Sequence, residues 1–372
     1  MSIVGTDIGI VRTQYFYSTR PLVLDSGSVL DELVLAYETY GVLNTNRDNA
    51  ILVLHALSGD AHVAGRHSPD EKHPGWWDEM VGPGKAFDTN RYFVICSNVI
   101  GGCKGSSGPL SVNPDTQSPW QADFPVVTIQ DMVAAQTHLI DALGIEQLAA
   151  VAGGSMGGFQ ALAWMARYPN RVKKAILLAT SAAHSAQAIA WNAIGRHAIM
   201  SDPRWCQGFY RADAPPHDGL AIARMIGHIT YLSDASLSQR FSQRYQHATA
   251  PSYALADEFS VESYLTHQAD KFNKRFDANS YLYITKAMDY WNVAQPGQSL
   301  AQALSDWHGQ TLIISFDSDT LYPTAESVLI ANALTENGAF VECYELHSIA
   351  GHDAFLLEST SQTPLIAAFL RK

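Results

Sequence analysis

The chain reads as an α/β protein: an open, mostly parallel sheet with helices on both faces and a helical segment inserted into it. Three observations predict this. Short apolar runs that stop at loops alternate with helix-like stretches over residues 50–180. The same alternation resumes over 310–372. Between them, over 183–301, amphipathic stretches follow one another without a punctuated strand-like run. The expected organisation is a core domain of residues 1–182 and 302–372 carrying a lid of residues 183–301.

In chain order, "GSVLDELVLAYETYG" alternates apolar and polar residues around an acidic turn and predicts an antiparallel hairpin. The run Ile51 to Leu54 in "NAILVLHALSG" predicts a buried strand, and "RYFVICSN" repeats the pattern. "IQDMVAAQTHLIDALGI" gathers Met132, Val133, Leu139, Ile140 and Leu143 on one helical face and stops at Gly144, a helix with its C-terminal signal. "QLAAVAG" is a strand, "FQALAWMARYPNRV" a helix closed by Pro169, and "KAILLAT" another strand. Within the insertion, "AIARMIGHITYL" and "SLSQRFSQRYQ" read as helical. Strand "QTLIISFDSD", helix "AESVLIANAL", strand "FVECYELH" and a last helix ending near Lys372 complete the core.

Composition narrows the function. Hydrophobic residues make up 47% and charged ones 16%, which is globular rather than disordered. A net charge of −12 repels nucleic acid and anionic membrane surfaces, so neither is an expected partner. The opening "MSIVGTDIGIVRTQYF" lacks a secretory pattern, and no apolar run approaches the roughly 20 residues of a membrane span. Cys96, Cys103, Cys206 and Cys343 form no C-x-x-C pair, which suits a reducing cytoplasm. His62, His67 and His73 share one stretch, but their spacings would not stack side chains on one helical face, so no metal is expected.

The chemistry is carried by "VAGGSMGGFQ". It holds G-x-S-x-G between a strand and a helix, the setting of a strained turn that presents a serine hydroxyl. Gly153, Gly154, Gly157 and Gly158 are the steric condition for such a turn around Ser155, because larger neighbours would collide within it. A serine nucleophile needs a base, and the base an orienting acid, in the order Ser, Asp, His after late strands. Asp319 in "DSDTLYP" and His352 in "SIAGHDAF" meet that order, with Asp317 as a competitor nearer the strand. The backbone N–H groups of Met156 and of Leu57 in "HALSG" are the expected oxyanion donors, each worth about 3 kcal/mol in the transition state. These residues support serine acyl chemistry on an α/β-hydrolase-like frame; esterase, peptidase, lipase and acyltransferase share the arrangement.

Longer stretches say more. "LAYETYGVLN", "HALSGDAHVAG", "GWWDEMVGPGKAFDTNRYFVICSNVIGGCKGSSGP", "FPVVTIQDMV", "GGSMGGFQALAW", "ARMIGHITYLS", "RFDANSYLYITKAMDY" and "GHDAFLLE" resemble the homoserine O-acyltransferases of methionine biosynthesis, nearly end to end. The resemblance implies transfer of an acyl group from acyl-CoA, a co-substrate rather than a bound cofactor, through a Ser155 ester to L-homoserine. It implies Arg224 and Asp353 as amino-acid-binding residues, with Tyr231 from the same stretch as Arg224, and a homodimer built through the lid. In the family, the residue two past the catalytic aspartate goes with donor choice, arginine accompanying succinyl. Leu321 stands there, so acetyl-CoA is the expected donor, with succinyl transfer or L-serine as acceptor the alternatives and a simple esterase the more distant one. Thr320 replaces a tryptophan common in the family and is expected to alter the pocket's width. Arg66 and Lys104 are conceivable CoA contacts, read here as surface charges.

Overall fold

The computed structural model describes residues 7–256 and 258–372; residues 1–6 of the opening stretch read above for a signal lie outside the described residues. Eight strands form one sheet: β1 (Gln14–Tyr17), β2 (Val34–Tyr40), β3 (Ala50–Leu54), β4 (Phe93–Ser97), β5 (Ala150–Gly154), β6 (Lys174–Leu178), β7 (Gln310–Phe316) and β8 (Phe340–Leu346). Their spatial order is β1-β2-β4-β3-β5-β6-β7-β8. β1 and β2 pair antiparallel, β2 joins β4 antiparallel, and every later pairing is parallel.

Parallel central strands are covered on both faces, and their alternation divides the core in two. On β5, Val151 packs with α1 (Ile129–Ala142) and α2 (Met156–Arg167), whereas Ala150 and Ala152 face the layer holding Ile366 and Phe369 of the last helix. α1 begins where the sequence signals it: Thr128 and Asp131 form a reciprocal capping box, and Gly144 takes φ +68° just past its end.

The N-terminal hairpin expectation is corrected. Val29–Leu30 pairs back onto Leu22–Val23, while β2 pairs with β1 and β4. The acidic stretch is a link between two sheets, because Leu30 and Leu33 on either side of it are both buried.

The chain between β6 and β7 carries α3 (Ala186–Ser201), α4 (His217–Tyr231), α5 (Asp234–Arg240), α6 (Ser260–Asn273) and α7 (Ala278–Asp289). A short antiparallel neck closes this excursion: His184 N–H donates to Trp291 O at 3.0 Å and Val293 N–H to Ala182 O at 2.9 Å. The helix expected through "SLSQRFSQRYQ" ends early, at Arg240, because Ser242 turns left-handed with φ +49°. Among the described residues no helix is long and apolar enough to cross a membrane.

Register places the loops that matter together. Leu54 lies opposite Gly153, Gly154 opposite Leu178, and Phe316 opposite Leu346. The loops carrying Leu57, Ser155, Asp319 and His352 therefore all leave the same, carboxyl edge of the sheet.

Candidate active site

Ser155 joins β5 to α2 with φ 57° and ψ −126°, a conformation costing about 1–3 kcal/mol for a residue with a side chain. The glycines make it possible. A Cβ on Gly153 would lie 2.4 Å from the Gly157 carbonyl carbon, and one on Gly157 would lie 2.1 Å from Leu54 O. Gly154 and Gly158 are pressed in the same way against the Phe355 ring and the Thr180 side chain. Thr180 Oγ1 donates to Ser155 O at 2.9 Å and braces the bend from beneath.

His352 lies on a short helical turn, Gly351–Asp353, after β8, and its Nδ1 meets Asp319 Oδ2 at 2.8 Å. The other oxygen of Asp319 accepts the backbone N–H groups of Leu321 and Tyr322, each at 2.9 Å. All three contacts use the Asp319 side chain, which is fully buried. Asp317 has a different occupation: it is exposed and pairs with His347 and the Ser348 N–H. Geometry therefore assigns the histidine's partner to Asp319.

Ser155 and His352 line one cavity of about 660 Å³. Among the described residues no hydrogen bond yet joins the Ser155 hydroxyl to the His352 ring, the looser state common in enzymes without substrate. Aromatic rings enclose the imidazole, with Tyr322 at 5.1 Å, Phe355 at 5.4 Å and Tyr231 at 6.0 Å between centroids. Burial pushes the Tyr231 phenol pKa up, so this wall is neutral at ordinary pH.

The loop after β3 forms a tight turn closed by Gly59 N–H to Ala56 O at 2.9 Å. His55 holds it from within: Val99 N–H donates to Nε2 at 3.0 Å, which leaves the proton on Nδ1 to reach Ala56 O at 2.8 Å. Burial lowers the His55 pKa and keeps the ring neutral in this role. The N–H groups of Leu57 and Met156 accordingly have no acceptor among the described residues. Two unsatisfied donors near a presented hydroxyl are what a developing oxyanion needs.

Arg224 of α4 also lines the cavity. Its guanidinium packs over the rings of Phe272 and Tyr231, at 4.7 and 5.6 Å, its Nε is buried without a partner, and among the described residues no carboxylate pairs with it. Asp353 lines the same cavity, also without an ion pair; burial raises its pKa against the opposing pull of His352 and Arg224. Leu321 reaches the cavity, but Thr320 is exposed and lines none of it, so the expectation that Thr320 sets the pocket's width is corrected. Arg66 donates to Glu71 O at 3.1 Å, and neither it nor Lys104 lines the cavity.

The histidine spacing argument assumed a helix, and residues 55–80 are loop. The loop brings two of the three histidines onto buried Glu38: His62 Nδ1 meets it at 2.9 Å and His67 Nε2 at 2.7 Å, with Tyr40 and Thr13 hydroxyls at 2.7 and 2.8 Å. Glu38, His62 and His67 are close enough to share a metal ion, but every lone pair this carboxylate directs at them is already answered by a donor. Burial alone would raise the Glu38 pKa; these hydrogen bonds outweigh it and bring it to about 2. Its stabilisation is therefore full above the ordinary glutamate value of about 4.3 and fades as pH falls toward about 2. Unfolding by urea between pH 7 and pH 3 is expected to show Glu38→Gln less stable by about 3 kcal/mol at pH 7, with the gap closing in acid.

A second buried cluster lies beyond the reach of spacing arguments. His184 lines the cavity next to Asp289, which accepts from Asn192 and Arg196 across the neck of the lid.

Comparison with known proteins places these features in a group. The sequence profile of the α/β-hydrolase fold matches residues 49–359. A homoserine O-acetyltransferase of Methanohalobium evestigatum is 54% identical over 363 residues, covering 98% of this chain and 74% of the relative. The crystal structure of homoserine O-acetyltransferase from Bacillus anthracis superposes with a TM-score of 0.92 at 30% identity, covering 98% of each chain. That of esterase E22 superposes at 0.90 with 31% identity, covering 97% of this chain and all of that one (100%).

Proposed function

Since the chain belongs to the homoserine O-acetyltransferase family of the α/β-hydrolase fold, we propose that it moves an acetyl group from acetyl-CoA to the hydroxyl of L-homoserine in two steps. In the first, His352 takes the Ser155 proton as Oγ attacks the thioester carbonyl. The oxygen of that carbonyl becomes an oxyanion held by the Leu57 and Met156 N–H groups, and CoA leaves as the thiol with the proton from His352. In the second, His352 deprotonates the acceptor hydroxyl, which attacks the acetyl-serine and restores Ser155. Asp319 fixes the ring with its proton on Nδ1 and stabilises the imidazolium formed in each step.

The observation that carries the acceptor assignment is the pair of opposite charges left without partners in one cavity. Arg224 can fork onto an amino acid's carboxylate, and Asp353 can take its ammonium. A simple ester gives neither group anything to bind. Leu321, apolar and at the cavity wall, suits a methyl rather than a distal carboxylate, whose unpaired burial is costly. The product would feed methionine biosynthesis in the cytoplasm. Ile194 of α3 with Ile222 and Ile229 of α4, each about half exposed, supports a homodimer through the lid.

Rates with acetyl- or succinyl-CoA, each with homoserine or L-serine, test this directly. The acetyl-CoA and homoserine pair is expected to exceed each other pair by at least about tenfold, the discrimination available from one misplaced polar or methylene group. Hydrolysis of acetyl-CoA as fast without homoserine as with it would instead identify an esterase.

A further inference from the structure

Arg275, in the link between α6 and α7, is a second guanidinium lining the cavity. It and Arg224 flank the same Phe272 ring, with Cζ at 5.5 and 4.7 Å from its centroid. Among the described residues neither forms an ion pair with a carboxylate; Arg275 uses Nη1 to donate to Ser58 O at 3.0 Å. Burial and the neighbouring Arg224 charge both press its pKa down, with the Asp60 charge pulling the other way. One arginine is accounted for by the acceptor's carboxylate and Asp353 by its ammonium. The acceptor offers no second anion for Arg275. Lys271, one turn back on α6, also lines the cavity, as do Asp60 and Glu71. An arginine that lines the cavity without a carboxylate partner favours a ligand bearing negative oxygens.

We propose that Arg275 binds an anionic group of the acyl donor, and this rests on the acyltransferase reading above. Acetyl-CoA offers its phosphates; a dicarboxylic donor such as succinyl-CoA would offer a distal carboxylate as well. Arg275 also holds Ser58 O, next to the Leu57 donor.

The test compares wild type with Arg275→Gln and Arg275→Lys, using acetyl-CoA, succinyl-CoA and S-acetyl-pantetheine, which lacks phosphates. Wild-type transfer to homoserine from acetyl-CoA is the control; its absence would sink the parent reading, whatever Arg275 does. For Arg275→Gln the ratio of kcat/KM for acetyl-CoA over S-acetyl-pantetheine is expected to fall at least about tenfold, with Arg275→Lys recovering part of it. A fall confined to succinyl-CoA assigns the site to the acyl carboxylate. If all three donors lose equally, Arg275 merely props the Ser58 turn and the proposal is wrong. Circular dichroism of each variant confirms that the ratios are read on folded protein.

Discussion

Ser155→Ala is expected to lower kcat for acetyl transfer by about 10⁶-fold, the scale on which a lone nucleophile deletion acts when serine, histidine and aspartate work as a unit. The variant removes one oxygen from a position the backbone already holds in place. Its φ of 57° stays, because the bend is fixed by Gly153 and Gly157 against backbone on both sides. The open N–H groups of Leu57 and Met156 stay as well, so weak acceleration over water persists without a covalent intermediate. Intact mass after mixing with acetyl-CoA alone separates the cases: wild type gains one acetyl group and the variant gains none. An adduct of equal size and rate on the variant would falsify the nucleophile assignment and move attention to another hydroxyl in the cavity.

What the sequence discloses about this site follows the range over which each constraint acts. The bend at Ser155 is a local steric problem, solved by glycines within three residues on either side, so it is legible in a ten-residue window. The alternation of strand and helix is likewise written locally, in apolar runs and caps such as Thr128 with Asp131. The acid is legible only down to two candidates. Asp317 and Asp319 differ by one turn of loop, and the choice is made by the backbone N–H groups of Leu321 and Tyr322, which no residue type announces. The N-terminal hairpin misleads because alternation reports that a strand has a buried face, not which strand it pairs with. The histidines at 62 and 67 meet on Glu38 because a loop, with no fixed period, carries them there. Arg275 meets Ser58 across 217 residues and His184 meets Asp289 across the neck of the lid. Contacts of that separation are products of the fold and leave no mark in spacing.

Asp319→Asn is expected to lower kcat by about 10⁴-fold while leaving the fold and the cavity unchanged. The geometry explains why so conservative a change should cost so much. One carboxylate oxygen accepts the N–H groups of Leu321 and Tyr322, both at 2.9 Å, and the other accepts His352 Nδ1 at 2.8 Å. An asparagine has one acceptor and one donor end. Two backbone donors compel its oxygen to face Leu321 and Tyr322, so its NH₂ must face the ring. His352 Nδ1 then becomes an acceptor, and the proton moves to Nε2. A ring that points an N–H at the Ser155 hydroxyl can no longer take its proton, and the lost negative charge no longer steadies the imidazolium. The acetyl-enzyme should therefore form about 10⁴ times more slowly, with homoserine affinity nearly unchanged because Arg224 and Asp353 are untouched. Rapid-quench measurement of the adduct gives the rate, and nitrogen NMR of the ring gives the tautomer. Asp317→Asn is the matched control, since that carboxylate answers the exposed His347 and the Ser348 N–H. A loss at Asp317 as large as at Asp319, or a loss below about tenfold at Asp319, would mean that the ring is oriented by something other than the contact seen here.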